Sequence, residues 1–302
     1  MIMHLKKSKN FLNLNSPIEK ITFCDFSFYI KRDDLLGEIN GNKARKLYYY
    51  FLNKYPKNQR FISFGSSQSN ALLALSIFCR QNNYQLLFVC EKLSSFLEQN
   101  PHGNYALALE NKALIIQNLD FSHRRDKALS LKQEKDIFIE EGVGNKEAEI
   151  GFIHLAKEIE QQSKILNLDF DIFLPSGTGT SAAFLAKHSK SKVFTCACVG
   201  DEAYLKKQIL TLDPYYDFSN LYILQLSKKY HFAKPYLEFY ELYLKLKKEC
   251  GIEFDLLYDM LGIKTMMHYQ AIFKKPILYI HQGGIIGNDS MLNRYKRKFT
   301  HL

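Results

Sequence analysis

No uninterrupted apolar run in these 302 residues approaches the roughly 20 residues that a membrane-spanning helix needs. The stretch Met1–Asn15 carries basic residues with no continuous apolar segment behind them, so it does not read as a secretory signal. Cysteines number only six, and Cys196-Ala197-Cys198 has no second pair at metal-ligand spacing. Strand alternation would point both of those thiols to one face, which suits packing. These absences lead us to expect reduced thiols in a cytoplasmic protein, with no metal and no membrane partner. The densest basic clusters, Lys245–Lys248 and Arg294–Lys298, belong to no nucleic-acid-binding motif, and the other cations are scattered. The net charge of +10 therefore bears on solubility and steering, and no nucleic-acid partner is expected.

What is present is material for a packed interior: 46% of the residues are hydrophobic against 24% charged, and the length suits two domains better than one. Short apolar runs at Ile18–Phe23, Phe26–Lys31, Arg60–Phe64, Gln85–Val89, Ala113–Ile116 and Ile137–Glu140 read as strands. So do Phe170–Leu174, Val193–Val199 and Ile277–His281. Helical segments fall between most of them, among them Gln68–Gln81, Gly103–Glu110, Thr180–Lys187 and Tyr204–Leu210. An amphipathic helix over about Lys146–Ser163 separates the two sets. This alternation predicts an α/β protein with two open, mostly parallel sheets side by side and a cleft between them. The polar segment Gln117–Asp136 is expected on the surface.

Ligands in open α/β sheets lie at the carboxyl ends of strands, and the unusual loops of this chain fall there. Gly41-Asn42-Lys43-Ala44-Arg45-Lys46 places a lysine where a turn-forming stretch becomes a helix. The positive helix end and the cations Arg45 and Lys46 would disfavour the ammonium form of Lys43, which leaves a usable amine nucleophile. A solvated basic helix face fits the same residues. Ser176-Gly177-Thr178-Gly179-Thr180 joins a buried strand to a helix with two glycines and three hydroxyls, the makings of a phosphate cup. It lacks the lysine of a P-loop, which disfavours a nucleoside triphosphate. Gly177, Gly179 and Ala182, with Asp201 further on, match a loose dinucleotide fingerprint, so an oxidoreductase stays open. A basic, non-catalytic binding protein does too. Gly65-Ser66-Ser67-Gln68-Ser69-Asn70 offers backbone N–H groups, a hydroxyl and an amide at another helix start, or simply a capped helix.

Taken together, these blocks resemble the pyridoxal-phosphate enzymes of fold type II, in the branch of 1-aminocyclopropane-1-carboxylate deaminase and D-cysteine desulfhydrase. The likeness runs from about Ile30 to Gly284. Its most specific part is Lys31-Arg32-Asp33-Asp34 leading to Gly41-Asn42-Lys43-Ala44-Arg45-Lys46. The resemblance implies a tryptophan synthase β-like arrangement, with a large cofactor-binding domain from 1–50 and 156–302 and a small α/β domain from 51–155. It further implies that Lys43 holds pyridoxal 5′-phosphate covalently and later moves protons. Asn70 would bond the cofactor ring hydroxyl, Ser69 would face the substrate carboxylate, and residues Ser176, Gly177, Thr178, Gly179 and Thr180 would hold the phosphate. Tyr258 would lie against the cofactor and Tyr236 would be a second active-site tyrosine. Asp259 stands where deaminase-like members have glutamate and desulfhydrase-like members threonine, and Gln282 stands between His281 and Gly283-Gly284 where the family has leucine or threonine. One of these two should face the pyridine nitrogen. The implied activity is β-elimination from D-cysteine or a related amino acid, or ring opening of the cyclopropane amino acid, in a homodimer.

Overall fold

The computed structural model describes residues 13–120 and 122–299, so the expectation for the basic N-terminal stretch lies mostly outside the described residues. The chain enters through a hairpin of β1 (Ile18–Phe23) and β2 (Phe26–Lys31), turned by Cys24 and Asp25, both left-handed. Two positive φ values in succession are what a two-residue hairpin turn requires. Next come α1 (Gly41–Leu52), β3 (Arg60–Phe64), α2 (Asn70–Asn82), β4 (Gln85–Glu91), α3 (Ser95–Gln99) and α4 (Gly103–Glu110). β5 (Leu114–Asn118), α5 (Arg124–Leu131) and β6 (Ile137–Ile139) follow. The long α6 (Glu149–Leu166) leads into β7 (Asp171–Ser176), α7 (Thr180–His188), β8 (Val193–Ala197), α8 (Glu202–Leu212) and β9 (Leu221–Ile223). Last are α9 (Leu237–Cys250), α10 (Asp259–His268), β10 (Ile277–Ile280) and α11 (Asn288–Lys298).

The strands form two sheets, as the alternation predicts. One has the order β1-β2-β10-β7-β8-β9 and is parallel except for β1; the other, β5-β4-β3-β6, is parallel throughout. In the larger sheet the last strand, β10, inserts between β2 and β7, so the strand order reverses there. A reversal of this kind leaves a crevice at the carboxyl ends, here between Gln282-Gly283-Gly284 and Ser176-Gly177. The residues of β7 and β10 are all buried, as central parallel strands covered on both faces should be. Phe173 and Tyr279 stack across them at 5.9 Å.

α1 is locked in place from behind. Arg45 donates to Asp33 at 2.9 and 2.6 Å and to Glu158 of α6 at 2.8 Å, while Lys31 pairs with Glu158 and bonds the Ser16 carbonyl. Ser16 Oγ in turn donates to Asp33 at 2.6 Å. A buried ion group of this kind is tolerable because each charge has both counter-charge and hydrogen bonds. Gly151 lets α6 approach closely: a Cβ there would stand 1.8 Å from the Arg45 carbonyl oxygen.

Several elements depart from the expectations, α3, α10 and α11 being helices the alternation does not mark. The segment read as surface holds α5, whose Ala128 is fully buried and whose Arg124 is nearly so. β9 is a three-residue edge strand, too short for a period-2 signal. α9 has no counterpart among the expected helices, although Phe239, Tyr243 and Leu246 recur at helical spacing along its buried face.

Candidate active site

Lys43 sits in the first turn of α1, its Nζ donating to Asn42 Oδ1 at 3.0 Å. Burial brings its pKa down to about 8, and Asp255 pulls the other way. At neutral pH roughly a tenth of a lysine with that pKa carries a free amine, against roughly one in three thousand for an unperturbed one. The cause differs from the one expected. Arg45 faces Asp33 and Glu158 on the far side of the helix, so desolvation, not Arg45, lowers Lys43.

A cavity at this lysine is lined by Ile39, Asn70, Leu73, Gln282 and Gly284 among others. Asn70, the first residue of α2, has its Oδ1 held by the fully buried Asn104 at 2.8 Å. Its Nδ2 occupies the space a side chain at Gly284 would need, 2.3 Å from the site of a Cβ. Ser69 caps α2, its Oγ accepting the Leu72 N–H at 3.1 Å. Gln282 cross-links the crevice: its Nε2 donates to Pro175 O at 2.6 Å, its Oε1 accepts from Asn42 Nδ2 at 3.1 Å, and its carbonyl accepts the Asn42 N–H. Gly41 is required beneath it, since a Cβ would stand 1.6 Å from the Gln282 carbonyl oxygen.

The glycine-hydroxyl loop has the shape that an anion cradle needs. Gly179 is left-handed at φ 77° and α7 begins without a side-chain cap, so its first N–H groups have no intrahelical acceptor. Thr178 and Thr180 hydroxyls lie 2.9 Å apart beside them. Ser176 ends β7, buried, its Oγ accepting from Thr195 at 2.7 Å. The Tyr258 ring covers Gly177, with Cε1 3.3 Å from the site of a Cβ. Thus Lys43, Asn70, Gln282, the 176–180 loop and Tyr258 converge on one crevice at the strand-order reversal.

Two expected residues are used otherwise. Both Asp259 oxygens are taken, one by Tyr279 Oη at 2.6 Å and one by the Asp255 N–H at 2.9 Å. The Tyr236 hydroxyl accepts the His231 N–H at 3.0 Å and its ring packs on Tyr230 and Phe239. The residue of that loop that meets Tyr258 is Phe232, at 5.2 Å. The dinucleotide elements are also committed: Gly177 is covered by Tyr258, and Asp201 Oδ1 caps α8 by accepting the Tyr204 N–H.

Three further residues enter the site. Asp255 accepts the Leu257 and Tyr258 N–H groups through Oδ1, while its buried Oδ2 has no hydrogen-bond partner and lies 3.4 Å from the site of a Gly284 Cβ. Burial and the nearby Asp259 hold its pKa well above the usual carboxylate range. Lys46, one helical turn after Lys43, is buried and donates to Gly142 O at 2.9 Å. Burial first, then Lys43, depresses it strongly. Gly142 stands against Thr178, which brings this uncompensated cation close to the anion cradle. Glu141, raised mainly by burial, reaches toward Gly65 and Ser69. Lys46 stands inside the Gly41–Lys46 block and Asp255 within the stretch of likeness from Ile30 to Gly284; only their burial reveals what they face.

The donor set fits a phosphorylated pyridine aldehyde: an uncapped helix start with two hydroxyls, an aromatic ring over the loop, a lysine poised as an amine, and an orphaned carboxylate oxygen beside it. The fold is that of the pyridoxal-phosphate enzymes of fold type II. No protein-family model matches the chain. A Thermotoga maritima protein named "Putative 1-aminocyclopropane-1-carboxylate deaminase" is 24% identical over 284 residues, 87% of this chain and 90% of the relative. Among solved structures, an ACC deaminase homologue superposes with a TM-score of 0.76 at 22% identity, covering 94% of this chain and 95% of that one. A hydrogen sulfide-producing enzyme from Fusobacterium nucleatum gives 0.68 at 17% identity, covering 93% and 99%. A threonine deaminase from T.th. gives 0.60 at 14%, covering 85% and 86%.

Proposed function

We propose that the protein is a pyridoxal-phosphate-dependent enzyme that deaminates a small amino acid, with Lys43 as the residue that holds the cofactor and moves the substrate proton. The observation that carries this reading is the depressed pKa of a half-buried lysine that shares its cavity with Asn70 and Gln282 and feels the charge of Asp255. When bound, the cofactor supplies an electron sink for the α-carbon of an amino acid. The residues supply the rest. Thr178, Thr180 and the α7 N–H groups would hold the phosphate, with the Lys46 amine brought close to that loop through Gly142. Tyr258 bounds one face of the site, and Asn70, fixed by Asn104, presents an amide to the ring hydroxyl. The N–H groups at the start of α2 and Ser69 take the substrate carboxylate. Lys43, neutral in part at physiological pH, accepts the α-proton and returns it. Asp255, whose charge acts on Lys43, would favour its protonated form between those two events. Asp259 and Gln282, with their polar atoms engaged inside the fold, shape the crevice and keep Asp255 and Asn42 in place.

The substrate proposed is D-cysteine or a related β-substituted D-amino acid, which with water yields pyruvate, ammonia and sulfide. Support for sulfide release comes from the hydrogen sulfide-producing neighbour. The cyclopropane amino acid, which with water yields 2-oxobutanoate and ammonia, is the second reading and is favoured by the names of the Thermotoga protein and the ACC deaminase homologue. The test is the visible spectrum of the purified protein loaded with cofactor, wild type beside Lys43→Ala, followed by addition of D-cysteine, L-cysteine and the cyclopropane compound. A band near about 420 nm, expected for a pyridoxal group on lysine, should be absent from the variant. The amino acid that perturbs it and yields a keto acid names the substrate; no band in the loaded wild type refutes the assignment. A homodimer in a reducing, cytoplasmic setting is proposed from the same resemblance, and sedimentation at the monomer mass of 35.2 kDa would refute the dimer.

A further inference from the structure

A second cavity, of about 180 Å³, opens at the carboxyl ends of β8 and β9. It has on the order of ten times the space a single ordered water needs. None of its lining residues lines the Lys43 cavity. Its walls are largely apolar, built by Cys196, Ala197, Ile223, Leu224, Leu226 and Leu261, with Gln225, Tyr230 and Thr265 the neutral polar groups among them. Charge is confined to two elements at its edge: Asp201 and Glu202 at the start of α8, and Lys228 and Lys229 in the loop after β9. Asp201 is occupied as the cap of α8, and Lys228 pairs with Glu238 at 2.5 Å. Glu202 and Lys229 are exposed and enter no ion pair among the described residues. An apolar hole thus carries one free acid and one free base at its edge.

Each simpler occupant leaves part of this lining unmatched. A phosphate would meet two carboxylates at the very helix start that could attract it, a metal ion would face hydrocarbon, and a plain hydrocarbon would leave both charges idle. A zwitterion with a short aliphatic side chain matches all three parts. We propose that this cavity is a second site for a free aliphatic α-amino acid of the leucine, isoleucine, valine or methionine class, its side chain in the apolar walls, its ammonium at Glu202 and its carboxylate at Lys229. The site is independent of the reaction proposed for Lys43. Its walls nevertheless reach the catalytic crevice. Cys196 stands two residues before Cys198, whose Sγ lies 3.8 Å from the Tyr258 carbonyl oxygen. Leu261 and Thr265 belong to α10, which starts directly after Tyr258. An occupant therefore packs on both elements that hold Tyr258.

Titration calorimetry on the full chain carrying Lys43→Ala, with no cofactor added, separates this site from the catalytic one. Leucine should bind saturably at one site per chain. 4-Methylpentanoate, lacking the ammonium, and isopentylamine, lacking the carboxylate, should each bind about tenfold more weakly or worse. Adding Lys229→Glu should weaken leucine by a similar factor, and Ala197→Trp should fill the hole and abolish binding. If Ala197→Trp does not fold, the exposed Lys229→Glu decides alone. No binding of any of the four amino acids at tens of millimolar, or leucine binding unchanged by Lys229→Glu, overturns the proposal.

Discussion

Burying Lys43 beside only one carboxylate destabilises the folded chain while it readies the amine. Its charged form is the one disfavoured, so the cost is full below about pH 8 and fades as pH rises from there toward the ordinary lysine value of 10.5. We expect Lys43→Met to stabilise the cofactor-free protein by about 1–3 kcal/mol at neutral pH, because part of the side chain stays open to solvent. That gain should shrink toward pH 10, as read from urea midpoints across the range; a gain independent of pH would contradict the account. Gly179 is the second sensitive residue. Its positive φ and the 2.6 Å approach of Ile209 to the site of a Cβ predict that Gly179→Ala loses about 1–3 kcal/mol and weakens cofactor binding in an equilibrium titration. Gly37→Ala shares a positive φ but meets nothing within 4 Å, so it should leave cofactor affinity unchanged. Much of this is legible in the sequence, because Lys43, Asn70 and the 176–180 loop are local signals at helix starts. The parts played by Asp255 and Lys46 are not, since they depend on which groups the fold leaves without a partner. The partners of Asp259 are hidden for the same reason: only the three-dimensional placement of Tyr279 shows which groups its oxygens accept from.

At the scale of the element, α1 is the part whose position matters most, and it is held from both sides. Its first turn abuts Gln282-Gly283, while Arg45 ties its buried face to Asp33 and Glu158. Removing one partner of a buried ion group leaves an uncompensated charge, at a cost of about 3–5 kcal/mol. Asp33→Asn should therefore lower the unfolding midpoint markedly, whereas Arg80→Gln, which breaks a half-exposed pair with Glu38, should shift it little. Equal effects would show that the buried group is not what fixes the helix. Most strands are legible as apolar runs between turn formers. α5 and β9 are not, one burying little apolar surface and the other having only three residues to show a pattern.

For the whole molecule, the two sheets and the crevice predict linkage between ligand and fold. A cofactor that binds only the native chain at a hundred times its dissociation constant should add about 2.7 kcal/mol. The melting temperature should rise by several degrees for the wild type and much less for Lys43→Ala, as read by calorimetry. An equal rise in both would place the ligand away from Lys43. The general architecture follows from the alternation of strands and helices. The strand order does not, because nothing local marks β10 as the neighbour of β2. That insertion has a consequence for the birth of the protein. β2 and β7, the two strands that flank the crevice, are joined only when the segment 277–280 arrives between them, after every other strand described has been made. Until then the ribosome carries a chain whose smaller sheet can already close while the larger lies open along its centre. Such a chain gains its lysine pocket all at once and late, so synthesis that stops short of residue 284 should yield a substrate for chaperones and proteases in place of a weak enzyme.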